Sequence, residues 1–448
     1  MHAIVIGAGP AGLSAAAALA GISTPEQPIT VTVLELRSKP STIGGAVNLT
    51  PLALRYLDYL GVAQKVRDRG IRTNAIDMVS QRTGKSIARL WPDVDNLRVE
   101  RSSIVESLVA RIADLPNVSV RFGAMVTTIE EEPAAEHVRV EFRVGGEGAP
   151  AEVLQGDVLI GCDGIHSLVR AKVVDPDRKK EYSGRAAAYG YASTLKPNDA
   201  GIRLVGKDTP VVQDTSMISA PSGSCLVSFF EPSRTKLFLA GVVTVPEEEA
   251  LHLQNWKDSK DGFRLEGDRS AVLSADFSKR FATPKLEGLK ETIERATEWF
   301  FFPVYMLSSG GVWSKGRTIL LGDAAHAVSP RTFNWAPRMT SVLTTPVQMP
   351  PQGESTGVAI EDALLLSHVF SLRSSHGVSE MLGIYESLRR KEIDTLYKKS
   401  VWQWSQAGTK GWVWYMFMEL ITWLVIMSFN KRKEDYFARD VTKLPLPV

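Results

Sequence analysis

Six residues near the start constrain this chain more than any other feature: Gly7-Ala8-Gly9-Pro10-Ala11-Gly12. The apolar residues 3–6 before them suit a short buried strand, and the Ala- and Leu-rich residues 10–20 after them suit a helix. Residues 3–22 carry no charge, so hydropathy alone would flag a leader or a membrane span. Four glycine or proline interruptions (Gly7, Gly9, Pro10, Gly12) and the lack of a basic leading segment favour strand, turn and helix instead. At such a junction Gly7 allows the tight turn, Gly9 lets backbone approach a pyrophosphate, and Gly12 lets helix and strand pack closely. The helix start then offers unpaired N–H groups and a positive dipole end to phosphate oxygens. A second apolar strand over residues 30–34 ends in Glu35, where a carboxylate can accept hydrogen bonds from a ribose diol.

Composition removes other classes. The chain has 448 residues, 44% of them hydrophobic and 23% charged, enough for roughly two or three domains. A formal charge of +2 without a long Lys/Arg block speaks against nucleic acid as a partner. The two cysteines, Cys162 and Cys225, sit in apolar strand-like runs and read as buried thiols in a reducing compartment, with no disulfide framework.

Two further segments repeat one pattern. Residues 155–170 read QGDVLIGCDGIHSLVR and residues 317–330 read RTILLGDAAHAVSP. Each is an apolar strand that delivers an aspartate beside a glycine, Asp163-Gly164 in the first and Gly322-Asp323 in the second. Parallel sheets place ligands at the carboxyl ends of their strands. Three such ends suit a cofactor that extends well past the first phosphate site.

In this order the motifs resemble the class A FAD-dependent monooxygenases, the salicylate-hydroxylase-like group and its fungal members above all, and the resemblance covers nearly the whole chain. It implies an α/β fold: a Rossmann-like FAD-binding domain with an inserted, mainly antiparallel β-sheet substrate domain and a C-terminal helical segment. The expected boundaries put residues 1–75, 101–175 and 299–372 in the FAD-binding domain, 76–100 and 176–298 in the substrate domain, and 373–448 in C-terminal helices. The implied cofactor is FAD, with no metal, and the implied partners are NAD(P)H, O2 and a small-molecule substrate. The implied reaction hydroxylates or epoxidises an aromatic, polyketide or terpenoid-like compound through a C4a-hydroperoxyflavin. A flavin oxidase or reductase on the same fold, and an inactive FAD-fold protein, are the alternatives.

By the same resemblance Gly7, Gly9 and Gly12 cradle the pyrophosphate, Glu35 takes the adenosine ribose, Arg101 reaches the phosphate and ribose region, and Asp323 after Gly322 takes the ribityl chain. Asp163 and Gly164 serve both FAD and NAD(P)H. Residues 43–49 match the flavin-contacting turn, with Ala46 where glycine is commoner. Gly353, Ser355 and Thr356 open a helix whose positive end faces the flavin pyrimidine, where charge develops on reduction; Ser355 replaces a usual glycine. Glu361 and Asp362 lie two turns into that helix and are expected to make helix-surface contacts. No catalytic side chain is assigned, because the arginine that several phenol-hydroxylating relatives place near the position of Tyr189 is absent and Arg185 is offset.

The middle of the chain reads as one mainly antiparallel sheet: His137–Val144 alternates apolar and polar residues, and residues 226–245 contain further strand-like runs. Residues 290–299 and the following FFPVYML are expected to lead back into the FAD-binding domain. Residues 411–429 hold one charge, Glu419, between Lys410 and Lys431-Arg432-Lys433. That length can span a bilayer, but a mid-segment glutamate is costly there. A helix packed on the FAD-binding domain is the leading expectation, with interfacial contact and a true span as alternatives. The expected location is cytoplasmic, membrane-associated only through this segment.

Residues 331–350 break the resemblance. The family runs almost directly from the proline of GDAAHxxxP into the next motif, and deleting this stretch would join Pro330 to Pro351 and restore that order. A structureless stretch of this length is unusual inside a compact domain. A retained in-frame intron and a specificity loop both account for it. Under the intron reading, a Pro330–Pro351 deletion variant binds FAD more tightly and couples NAD(P)H oxidation to product better than the full chain, measured side by side. Loss of FAD binding on deletion would identify a functional loop.

Overall fold

The computed structural model describes residues 1–41, 44–132, 136–146, 148–220, 223–253, 264–265, 267–327, 354–405 and 412–447. The 331–350 insertion therefore lies outside the described residues. At the centre is a six-stranded sheet in the order Ser314–Lys315, Thr318–Leu320, Val158–Gly161, His2–Ile6, Thr30–Glu35, Val118–Phe122. Its strands are parallel except for the edge pair Ser314–Lys315. Ala3, Ile4, Val5, Val158, Leu159 and Ile160 are fully buried, as continuous apolar strands covered on both faces should be. The helix Pro10–Gly21 packs between Arg101–Ala113 and Glu354–Val369, and its run of small alanines permits that close approach.

His137–Val144 is a strand as expected, but in a different sheet. It pairs with Ala124–Glu132 and Ala151–Gly156 in a separate three-stranded antiparallel sheet that contacts strands His2–Ile6 and Thr30–Glu35. Its alternation places Val138, Val140 and Phe142 inward. A strand with one buried face looks the same in sequence whichever sheet it covers.

The large sheet has eight strands in the order Arg264–Leu265, Ala296–Leu307, Lys180–Ser193, Lys236–Thr244, Gly223–Phe229, Thr215–Ala220, Ile76–Ser80, Ser86–Leu90. Residues 299–307, expected to begin the return to the FAD-binding domain, remain in this sheet, with Phe301 opposite Ala188 and Phe300 opposite Tyr189. Its two faces differ. One, with Ala188, Val227, Leu239 and Trp299, is covered by the helix Asp268–Phe281 through Phe277 and Phe281. The other, with Tyr189, Leu226, Phe238 and Met217, joins the core of the six-stranded unit. Between them a small antiparallel sheet, Ala46–Leu49, Asn96–Glu100 and Ile71–Thr73, bridges the two units.

Trp412–Lys431 is a helix laid on the edge strand Ser86–Leu90. Glu419, the residue that argued against a span, accepts hydrogen bonds from Ser80 and, at 2.7 Å, from Arg82. Asn430 accepts from the Trp91 backbone N–H at 2.8 Å and donates to the Arg89 carbonyl at 2.9 Å. The opposite side exposes Val413, Met416, Phe417, Leu420, Trp423, Leu424 and Met427, a stripe at helical spacing. Asn430 is the pin that closes the sheet edge. Asn430→Ala should lower stability by about 1–3 kcal/mol in denaturant titration, because both backbone groups lose their partner; an unchanged midpoint would show that the helix is held elsewhere.

Candidate cofactor site

The glycine turn is built by contact. Gly7 has φ +102°, and a Cβ there would lie 2.5 Å from the Cys162 carbonyl oxygen, so the turn rides directly on the neighbouring strand end. A Cβ at Gly12 would lie 1.9 Å from the Gly7 oxygen, which is the close helix–strand approach its position implied. Gly9, at the N-cap of Pro10–Gly21, has nothing within 4 Å of its Cβ position and borders open space. Glu35 stands beside this opening. Its Oε2 accepts from the Ala8 backbone N–H at 2.7 Å and its Oε1 from that of Arg37 at 2.9 Å, leaving further lone pairs on a half-buried carboxylate.

The second and third strand ends meet the first. Asp163 Oδ2 accepts from the backbone of Leu168 at 2.6 Å and Val169 at 3.2 Å, while Oδ1 is buried without a partner. Burial pushes the Asp163 carboxyl upward. Gly164 turns the chain at φ +72°. Arg170 ties the two aspartate motifs together, donating to the carbonyls of Ile165 at 2.7 Å and Ala324 at 3.0 Å. Gly322, at φ +59°, caps the short helix Asp323–His326, and Asp323 itself is exposed, its carboxylate without a hydrogen-bond partner among the described residues. Arg101 opens the helix Arg101–Ala113 and is half-buried. Desolvation pulls its guanidinium downward and the Asp323 carboxylate pulls it back, so the two charges share one space. The Arg101 backbone N–H donates to Gly45 at 3.2 Å, next to Ala46, which begins the buried strand Ala46–Leu49.

Gly353 lies outside the described residues. Ser355 is exposed and Thr356 buried in the first turn of Glu354–Val369, and Thr356 Oγ1 has no partner. Glu361 and Asp362 are not helix-surface residues. They are 1% and 0% exposed, because this helix is enclosed by Pro10–Gly21, Pro51–Tyr59 and the C-terminal elements. Asp362 Oδ2 accepts from the Gly322 backbone N–H at 2.9 Å and lies 2.7 Å from His326 Nε2, while Oδ1 accepts from Arg389 Nε at 2.7 Å. Glu361 Oε2 pairs with Arg389 at 2.9 Å and Arg439 at 2.8 Å, and Glu392 bridges the same two arginines. Burial alone would raise Asp362, but His326 and Arg389 hold it at about 2, below the ordinary 3.8. His326, Arg389 and Arg439 were not found from sequence. The available signal was the acid pair itself, since two carboxylates within the apolar run 357–366 need cationic partners.

Over the opening stands an aromatic wall. A Cβ at Gly45 would strike Phe238 at 2.1 Å and Tyr189 at 3.0 Å. Tyr189 stacks on Phe300 at 4.7 Å, and Tyr191 meets Phe230 and Phe238 edge-on or tilted at 5.3 and 5.7 Å. The Gly44 backbone N–H reaches the Tyr189 hydroxyl, and burial raises that phenol, so it stays protonated at neutral pH. Gly9's open side, the unengaged Asp323 carboxylate, and the orphaned Asp163 Oδ1 and Thr356 Oγ1 together fit an extended, hydroxyl-bearing dinucleotide.

Residues 1–191 match the FAD binding domain family. The FAD-dependent monooxygenase atnJ of Arthrinium sp is 27% identical over 401 residues, covering 88% of this chain and 82% of the relative. A salicylate hydroxylase of Pseudomonas putida is 25% identical over 410 residues, covering 90% and 84%. The matched domain and both relatives are those of class A FAD-dependent monooxygenases, and an FAD-dependent monooxygenase is the enzyme these likenesses support. Among solved structures, Klebsiella pneumoniae HpxO complexed with FAD and uric acid superposes with a TM-score of 0.67 at 21% identity, over 96% of this chain and 97% of that one. The p-nitrophenol 4-monooxygenase PnpA of Pseudomonas putida gives 0.70 at 18%, over 98% of each chain. These two likenesses concern the fold.

In this monooxygenase Asp362 sets a pH limit. Its folded value lies below its unfolded one, so its contribution is present above pH ~4 and is lost as pH falls towards about 2, a matter of about 2 kcal/mol. Asp362→Asn should cost about 1.5–3 kcal/mol at neutral pH, since Arg389 and the Gly322 N–H lose a charged acceptor while Arg389 keeps Glu361 and Glu392, and should flatten the acid limb between those values. Parallel acid limbs in variant and wild type would refute the assignment.

Proposed function

We propose that this monooxygenase uses FAD and NAD(P)H to insert one oxygen atom of O2 into a small, electron-rich aromatic, polyketide or terpenoid-like substrate. The observation that carries this reading is the aromatic wall of Tyr189, Tyr191, Phe238 and Phe300 facing the strand ends that would hold the cofactor. Bound FAD supplies oxygen activation once a nicotinamide has reduced it; the protein supplies position and exclusion of water.

In this reading the backbone around Gly7, Gly9 and Gly12 takes the pyrophosphate at the start of Pro10–Gly21. Glu35 accepts from the adenosine ribose, Arg101 neutralises phosphate, and Asp323 accepts from ribityl hydroxyls. Asp163 and Gly164 border the cofactor and the docking nicotinamide. Ala46 backs the ring, and the first turn of Glu354–Val369, with Ser355 and Thr356, presents its positive end where reduction adds charge. The rings of the wall, with Tyr189 and Phe238 buried and Tyr191 and Phe300 half-buried, keep water from the reacting centre and stack on a flat substrate. Tyr189, protonated and engaged by Gly44, positions that wall and abstracts no proton. The exposed stripe from Val413 to Met427, beside Lys431 and Arg432, supports peripheral contact with a membrane surface as part of the same proposal.

Asp323→Ala and Glu35→Ala each remove a charge-assisted acceptor and should weaken FAD by about 1.5–3 kcal/mol, roughly 10- to 150-fold in Kd, in titrations of the apoprotein. Wild-type affinity in both variants would remove the assigned site. NAD(P)H oxidation and H2O2 release across a panel of phenols, polyketides and terpenoids tests the reaction: a substrate that accelerates NAD(P)H oxidation while suppressing H2O2 is expected, and flavin reduction that no substrate couples would favour an oxidase or reductase.

A further inference from the structure

Strand Asn96–Glu100 carries a cation that nothing in the fold or in the reaction accounts for. Arg98 is 0% exposed, and its Nε, Nη1 and Nη2 all lack hydrogen-bond partners among the described residues. Burial pulls it down to about 9 with no carboxylate opposing, so it remains charged at neutral pH. A charged group held out of water without a partner is costly, and folds keep such a group where something else completes it.

What surrounds Arg98 shows what that is. Strand alternation places Asn96, Arg98 and Glu100 on one face of the small sheet, with Asn48 opposite Arg98 and Thr73 opposite Asn96. Thr73 donates to Asn48 Oδ1 at 3.5 Å, which leaves Asn48 Nδ2 buried and unpartnered, as is Asn96 Oδ1. Glu100 on the same face reaches the Tyr191 hydroxyl, so this face meets the aromatic wall of the eight-stranded sheet. On that wall Thr215 and Ser228 are cross-strand partners in the row that continues through Phe238 to Tyr191. Thr215 Oγ1 and Ser228 Oγ are also buried without partners. Two surfaces that meet at one contact thus both carry orphaned polar atoms. The donors on Arg98 and Asn48 outnumber the single fixed acceptor on Asn96, and the hydroxyls can serve either way. Such a surplus matches an anion, and a planar guanidinium matches two coplanar oxygens.

We infer that Arg98 anchors an anionic pair of oxygens on the substrate, a carboxylate or the enolate of a 1,3-dicarbonyl, with the Asn48 amide as a further donor and the rings of Tyr191 and Phe238 flanking the carbon skeleton. The inference rests on the proposed monooxygenase reading for the word substrate, but the anion site is testable without turnover.

The test titrates the FAD-loaded protein with benzoate, salicylate and 1-hydroxy-2-naphthoate, and with their neutral amides, by calorimetry and by the shift in melting temperature. The expected result is at least 10-fold tighter binding of acids than of amides. That preference should disappear in Arg98→Gln and survive in part in Arg98→Lys, with FAD content unchanged in both. Equal affinity for acids and amides in the wild type, binding of neither, or acid affinity that Arg98→Gln leaves intact would each overturn it. If Arg98→Gln does not fold, the acid-against-amide comparison in the wild type decides alone. A protein that binds the acids through Arg98 but oxidises no NAD(P)H would refute the proposed reaction and keep the anion site; coupled turnover of a neutral substrate with no acid preference would refute the anion site and keep the reaction.

Discussion

One carboxylate organises the cofactor side of this molecule. Asp362 is completely buried, and its two oxygens hold three groups from two other parts of the chain: the Gly322 N–H and His326 of one turn, and Arg389. The first of these fixes the turn that presents Asp323, and the third passes the charge on to Glu361, Glu392 and Arg439 near the far end of the chain. A buried ion pair of this kind contributes little by itself, because desolvation offsets most of the attraction. Its effect lies in geometry: each member is satisfied only when the others are in place, so the third strand end, the helix Glu354–Val369 and the C-terminal elements are held in one arrangement. Tyr56 joins the same network through Glu361 and the Val441 backbone, which locks the helix Pro51–Tyr59 to it.

Around that point the functional geometry follows from two layers. The parallel sheet brings Gly7, Cys162 and Leu321 to one edge, because strands of equal direction end together. The eight-stranded sheet turns one face to that edge and covers the other with Asp268–Phe281. Backbone donors and carboxylates thus stand on one side and aromatic rings on the other, and the first of these is what a hydroxyl-rich cofactor requires.

The parts legible in sequence were those that local backbone chemistry dictates. Gly7 and Gly12 could be read because no side chain fits where Cys162 and Gly7 oxygens approach, and Glu35 because a strand end has a fixed place relative to the glycine turn. Asp163 and Asp323 followed by the same rule. The parts that escaped depend on what covers them. His137–Val144 shows its inward face but not which sheet lies beneath, and residues 299–307 look apolar in either unit. Asp362 sits in a helix buried on all sides, where no polar stripe distinguishes inside from outside. Arg98 was not singled out, because nothing in the short run LRVE tells that the charge is buried.

All of this converges on a chain built around FAD, and the identity of the cofactor it carries is the most direct test. The chain would be purified without added flavin, denatured, and the released small molecules separated and weighed by mass spectrometry. FAD at close to one per chain is the expected result. Release of FMN, or a chain that carries no flavin and takes up none when FAD is supplied, would contradict it.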